Sequence, residues 1–196
     1  EAAELAYFGA KVLHPSTILP AVERNIPVRI LNSWKPEAPG TLITGAGLPG
    51  RKGLTGLASK RDVTVIDITS TRMLMAYGFL RRVFEVFELF TTAVDMVTTS
   101  EVSVSVTVDD VRHLDEIEEG LSEFAAVSVE RHMSLLCAVG DVLQHEPEMA
   151  ARVVGVLEEV PLRMISQAAS RRNIIVVLRQ LDLPHAMERL HEEFFQ

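Results

Sequence analysis

The sequence predicts an α+β protein in which two β-α-β-β-α-β units follow a short α/β segment. Three observations predict it. Val102, Val104, Val106 and Val108 alternate with Ser103, Ser105 and Thr107, the period-two signature of a strand with one buried face. Phe79, Leu80, Val83, Phe84 and Phe87 recur at helical spacing between two strand-like runs. The order strand, helix, strand, strand, helix then begins again at Met133.

Taken in order, residues 1–8 read as the end of a helix, 14–25 as a short second helix, and 27–31 (PVRIL) as a strand. The Pro- and Gly-rich stretch 35–53 is broken only by the β-like run 41–44 and places a boundary near Gly50. About 50 residues with so few elements cannot bury a core of their own. Residues 1–50 are therefore expected to be the remnant of a larger α/β domain. Beyond the boundary, 62–69 (DVTVIDIT) is strand-like, 78–90 an amphipathic helix, 93–97 a short β-rich run, 102–108 a strand, 113–124 a helix and 127–132 a strand. The second pass has strand 134–139, helix 146–159, strands 164–169 and 173–178, and a helix from Asp182. In that last helix Leu183, Ala186, Met187, Leu190 and Phe194 fall on one face. The second unit lacks a fourth strand, while 54–60 (LTGLASK) lies unclaimed before the first. Assigning 54–60 to the second unit completes it and makes the first an insertion within it. Both are then ferredoxin-like, a four-stranded antiparallel sheet with two helices on one face.

Composition bounds the function. With 47% hydrophobic and 23% charged residues in 196, the chain can bury a sizeable core. Nineteen basic against 27 acidic residues give a net charge of −8, which repels phosphate backbones and anionic headgroups and argues against nucleic acid and membrane surfaces. The longest uncharged apolar runs, such as 133–140, fall far short of the ~20 residues that span a bilayer. The single Cys137 excludes an internal disulfide framework and a multi-Cys zinc site and fits a reducing cytoplasm. The opening Glu1-Ala2-Ala3-Glu4 has no basic and apolar leader pattern and reads as the interior of a longer chain.

Most motifs dissolve on inspection. Residues 45–50 (GAGLPG) match a dinucleotide glycine loop by letter, but two more glycines and a strand pattern follow instead of the helix whose amides would hold a pyrophosphate. The six histidines never pair at i, i+4 and have no companion cysteines, so no metal site is expected. Ser100, Ser103 and Ser105 belong to a strand and its approach rather than to a nucleophile elbow, and no catalytic residue is assigned after Gly50. One constellation points to a ligand. The strand-to-helix loop 71–80 carries Gly78 just before an amphipathic helix, where the free amides of Phe79 and Leu80 favour a carboxylate. Nearby in the same sheet, Asp95 and Glu101 offer carboxylates to an ammonium group. Amides for a carboxylate and acids for an amine suit a free amino acid. Read structurally, Gly78 is only a helix cap and Asp95 a solvated strand end.

At these residues the sequence resembles a known family. Residues 7–15 (YFGAKVLHP) resemble the FGAKVLHP signature of the aspartate kinases, and Ile26-Pro27-Val28 and 39–43 (PGTLI) follow as in the family. Gly78-Phe79-Leu80, Val94-Asp95 and 98–104 (TTSEVSV) are similar to the regulatory half of lysine-sensitive members. That half holds two ACT domains, the first inserted in the second, in agreement with the strand count. The resemblance implies ACT domain 1 over 61–132 and a discontinuous ACT domain 2 over 54–60 and 133–196. It implies a control region for ATP-dependent phosphorylation of aspartate, the first step of lysine, threonine and methionine biosynthesis. In the family the Lys-Val of FGAKVLHP lies at the nucleotide, so Lys11 and Val12 would carry that role. The KFGGTS motif and the aspartate-binding residues do not occur in this chain, so it is expected to lack kinase activity and to carry no cofactor. ATP with Mg would be a substrate of the whole enzyme. Effector binding carries over by position to Met73, Ala76, Gly78, Phe79, Leu80, Ala93, Val94, Asp95, Ser100 and Glu101. These residues would line a homodimer interface of ACT domain 1, with the effector bridging two subunits. Met75-Ala76 stands where lysine-sensitive members commonly have His-Ser, which leaves threonine as the alternative to lysine. Some family members are fused to homoserine dehydrogenase or to diaminopimelate decarboxylase.

Two other readings compete. The β-α-β-β-α-β order is also that of single-stranded-RNA binders, but strand 102–108 has no aromatic residue for stacking and the charge is −8. A purely structural dimerisation module would form the same dimer and be indifferent to amino acids.

Overall fold

A computed structural model describes residues 1–10, 15–45, 53–70, 77–140, 143, 147–167 and 172–196. Its elements are α1 (Ala2–Tyr7), α2 (Pro15–Glu23), β1 (Val28–Ile30), β2 (Thr41–Ile43), β3 (Gly56–Thr69), α3 (Phe79–Leu89), β4 (Met96–Thr99), β5 (Ser103–Val108), α4 (Leu114–Ser122), β6 (Ala126–Val139), α5 (Pro147–Val156), β7 (Leu162–Gln167), β8 (Asn173–Arg179) and α6 (Leu183–Phe195). β1 and β2 form a small antiparallel sheet of their own, with Val28 opposite Ile43. All the other strands join one six-stranded antiparallel sheet of order β4-β5-β3-β6-β8-β7.

The spine of that sheet differs from expectation. Segments 54–60 and 62–69 are one continuous strand, β3, and 127–132 and 134–139 are another, β6. The two pair with each other along nearly their whole lengths, from Gly56 opposite Val139 to Thr69 opposite Ala126. Halfway along, the register shifts between Lys60 and Val65, and Asp62 and His132 take left-handed φ of 57° and 59°. A bulge of this kind redirects a strand without a loop, and Asp and His are among the non-glycine residues that tolerate such φ. The polar run Lys60-Arg61-Asp62 and the charged Glu130-Arg131-His132 are therefore mid-strand bulges and not breaks. The short run expected at 93–97 also shifts, since the ladder with β5 begins at Met96 and runs to Thr99.

Each half of the spine serves one unit. The C-terminal half of β3 and the N-terminal half of β6 are flanked by β5 and β4, giving the order β4-β5-β3-β6. The other halves are flanked by β8 and β7, giving β3-β6-β8-β7. Both orders are ferredoxin-like. In the first, Ile66, Ile68, Val104, Val106 and Val108 pack under Phe79, Val83 and Phe87 of α3 and Leu114, Ile117 and Leu121 of α4. In the second, Leu136, Ala138, Ile174, Val176 and Leu178 pack under α5 and α6, with Val153 and Leu190 among the buried helical residues. The opposite faces curl around a third core of Val63, Val65, Leu135, Cys137, Val139, Ile175 and Val177. Met96 and Met164, from the two edge strands, close it, and β4 and β7 touch. β8, wedged between two of these cores, is buried on both faces, which explains why residues 173–178 read as an almost unbroken apolar run.

The N-terminal helix docks on this third core through Leu5 and Phe8. Gly9, at φ 103°, follows it; a Cβ there would lie 2.6 Å from the carbonyl oxygen of Ser59, so only glycine lets the chain pass. Glu4 accepts a hydrogen bond from the Asn173 amide at 2.6 Å, fixing the other side of the helix to β8.

Candidate effector site

α3 begins behind Gly78, whose left-handed φ of 84° favours glycine although a Cβ would meet nothing within 4 Å. Phe79 is buried and meets Phe124 edge-on at 5.8 Å, so it anchors the helix start in the core and leaves Leu80 at the surface. The end of β3 that leads into this turn is held by the Ser70 amide donating to the Val102 carbonyl. Beside it, the Ser100 hydroxyl accepts from the Ser103 amide at 3.1 Å and lies 2.6 Å from the Ser103 hydroxyl, closing the turn between β4 and β5. Glu101 on that turn is exposed. Gly78, Phe79, Leu80, Ser100 and Glu101 thus gather at one end of the first unit's sheet.

Ala93, Val94 and Asp95 stand at the other end of β4. Val94 packs against the α3–α4 core and Ala93 is exposed. The Asp95 amide donates to the Thr107 carbonyl, and its side chain is only 5% exposed. The four residues of β4 lie between Asp95 and Ser100, five steps or roughly 17 Å along an extended chain. The two halves of the expected site therefore do not meet within one chain. Met73 and Ala76, with the Met75-Ala76 departure, lie outside the described residues, as do Lys11 and Val12.

Asp95 already has a cation. Lys60, from β3, places its Nζ at 2.9 and 3.0 Å from the two Asp95 oxygens and at 2.7 Å from Asp109. The Tyr7 hydroxyl of α1 donates to Asp95 at 3.3 Å, and the Lys60 ammonium sits 5.7 Å from the Tyr7 ring centre. Burial by itself would lower the Lys60 pKa, but the hydrogen bonds to Asp109 and Asp95 outweigh it and the net shift is upward. Burial, then the charge of Asp95, raises the Tyr7 phenol. Lys60 and Asp109 carried no sequence signal, and Tyr7 entered only as the first residue of the run 7–15: they come from a strand, a strand end and a helix that only the tertiary fold brings together.

A second missed cluster lies on the same sheet. Arg163 of β7 reaches across to Glu130 of β6 at 2.9 Å and to Asp67 of β3, which also accepts from the Ser105 hydroxyl. Its guanidinium is held charged first by the hydrogen bond to Glu130. Among the described residues no group of His, Cys, Asp and Glu could hold a metal ion, and no helix is long and apolar enough to cross a membrane.

Comparison with known proteins places this geometry. Residues 136–194 match the ACT domain family. Over its whole length the chain is 44% identical to aspartokinase 3, chloroplastic, of Arabidopsis thaliana, covering 37% of that protein. It superimposes on Escherichia coli aspartokinase III in complex with aspartate and ADP (R-state) with a TM-score of 0.90, and on the complex with lysine and aspartate (T-state) with 0.85. Both superpositions are at 36% identity and cover all of this chain and 45% of that one. A C-terminal regulatory domain of aspartate kinase from Porphyromonas gingivalis is 37% identical with a TM-score of 0.65, and this chain covers 97% of it with 72% of its own length. The chain belongs to the aspartokinase family. It spans less than half the length of the Arabidopsis and E. coli aspartokinases, and the ferredoxin-like sheet and helices are of the ACT type found in aspartokinase regulatory domains.

Proposed function

We propose that this chain is the allosteric control region of an aspartate kinase, and that it binds lysine between two copies of ACT domain 1 as a feedback signal. The observation that carries the reading is the separation along β4. Asp95 and Ser100 are too far apart for one amino acid, yet β4 is an edge strand. A second copy paired antiparallel along β4 about a two-fold axis would bring one protomer's Asp95 beside its partner's Gly78 turn and Ser100. Val97 on β4 and Leu80 and Phe84 on α3, each about 40% exposed, are apolar surface available to such a pair. In such a pair the amides behind Gly78 face a carboxylate, and Asp95 and Glu101 face an ammonium. Lysine is favoured over threonine because the E. coli relative is lysine-sensitive and has been seen with lysine.

On this reading lysine acts by its differential affinity for two dimer arrangements, shifting the population of the active one. The regulated reaction is transfer of the γ-phosphoryl group of ATP, with Mg, to the side-chain carboxylate of aspartate, and Lys11 and Val12 belong to the nucleotide edge. Residues 1–50 are the kinase-side remnant, 61–132 are ACT domain 1, and 54–60 with 133–196 are ACT domain 2; the chain by itself has no kinase activity. The reducing cytoplasm suits its single buried cysteine.

Calorimetric titration of the chain with lysine, threonine and methionine, repeated with Asp95→Ala, tests the reading. Saturable lysine binding that is lost in the variant supports it. Threonine binding alone would reassign the signal. A folded dimer that binds none of the three would make this a structural dimerisation module.

A further inference from the structure

Asp95 is 5% exposed, covered by the Lys60 ammonium and by the Tyr7 hydroxyl of α1. An incoming ammonium therefore cannot reach this carboxylate while both contacts are in place. The cluster has room for one more positive charge, since two carboxylates, Asp95 and Asp109, share one ammonium. Lys60 also has somewhere to go: Asp109, at 2.7 Å and 42% exposed, can retain it after Asp95 is released. Tyr7 has no such second anchor among its described contacts, and its residue closes the helix whose Leu5 and Phe8 pack on the third core.

We infer that Lys60 is a built-in competitor for the effector's ammonium at Asp95, and that its displacement together with the Tyr7 contact carries effector occupancy to the N-terminal helix. The inference rests on the reading that Asp95 receives that ammonium. Binding is then an exchange of one cation for another: the effector gains a buried carboxylate only to the extent that it outcompetes a tethered amine. Lys60 thereby sets the affinity of a site whose carboxylate it already occupies. It also sets the direction of coupling, because α1 holds Asp95 through Tyr7 only while the effector is absent.

The test is lysine titration of the 196-residue chain carrying Lys60→Met, with Lys60→Gln as a second variant that keeps a hydrogen-bond donor at the position, each checked for folding by circular dichroism. The expected result is lysine binding about tenfold tighter than in the unsubstituted chain. A lysine that merely props up the site would give weaker binding when removed. A second readout is amide hydrogen exchange in α1, where the Leu5 and Phe8 amides, bonded to the Glu1 and Glu4 carbonyls, are expected to exchange faster when lysine saturates the chain. If Asp95→Ala abolishes binding while both Lys60 variants bind lysine as before or more weakly, the competition is overturned and the effector reading stands. If lysine binds neither the unsubstituted chain nor the Lys60 variants, the effector reading fails and the inference falls with it. Tighter binding with unchanged α1 exchange would keep the competition and overturn the coupling to the helix.

Discussion

Cys137 illustrates how far a single position can be reasoned out. The sequence places it in an apolar strand, and the structure seals it in the third core, where burial first and the charge of Glu4 second push its thiol up to about 12. The unfolded chain loses this proton near the ordinary value of 9.0, so between there and about 12 the unfolded state binds fewer protons than the folded one and stability falls as pH rises. Urea unfolding at pH 8 and pH 10 is expected to show the unsubstituted chain losing about 1.4 kcal/mol more than Cys137→Ala over that interval. Equal losses would place the thiol in contact with solvent. The sequence singles out Asp95 as a carboxylate for an ammonium, and the structure buries that carboxylate beside one, the ammonium of Lys60. That the ammonium of Lys60 already sits there was not legible, because 35 residues and a bulge separate the pair in the chain and no periodicity relates them.

At the scale of the element, β4 is the strand whose exposure has consequences. It hydrogen-bonds β5 on one side and leaves Val97 exposed. A lysine at such an edge blocks pairing with a second copy while leaving the protomer's own ladder intact. Val97→Lys is expected to give a monomer by analytical ultracentrifugation with a melting temperature close to that of the parent, since the side chain is only partly buried. A variant that stays dimeric would place the interface elsewhere. Most elements were readable from period and spacing: α3, β5, β8 and α6 fall within a few residues of expectation. The strands divided at residue 61 and at residue 133 were not, because a run of charged residues in sequence looks like a turn, whereas Asp62 and His132 in left-handed conformation make it a bulge inside a continuous strand. Local composition records polarity; whether the chain reverses or merely bends is decided by the partner strand.

Across the whole molecule, the two units are tied by more than a linker. β3 and β6 run through both, and Arg163 crosses from the edge strand of the second unit to Asp67 and Glu130 on the strands of the first. Calorimetric unfolding is therefore expected to give one transition, with the calorimetric and van't Hoff enthalpies equal. Arg163→Met is expected to lower stability by about 1 kcal/mol, discounted for a guanidinium that is one-third exposed, without splitting that transition. Two resolved transitions would mean that the halves fold independently. The duplicated strand order was legible from the count of strands and helices. The third core was not, since it forms between sheet faces whose proximity depends on how the shared strands bend. Those shared strands have a consequence for inheritance. The first unit is one unbroken stretch of chain between the bulge in β3 and the bulge in β6, whereas the second is divided around it, so a genetic exchange that carries the first unit alone must cut both spine strands at once.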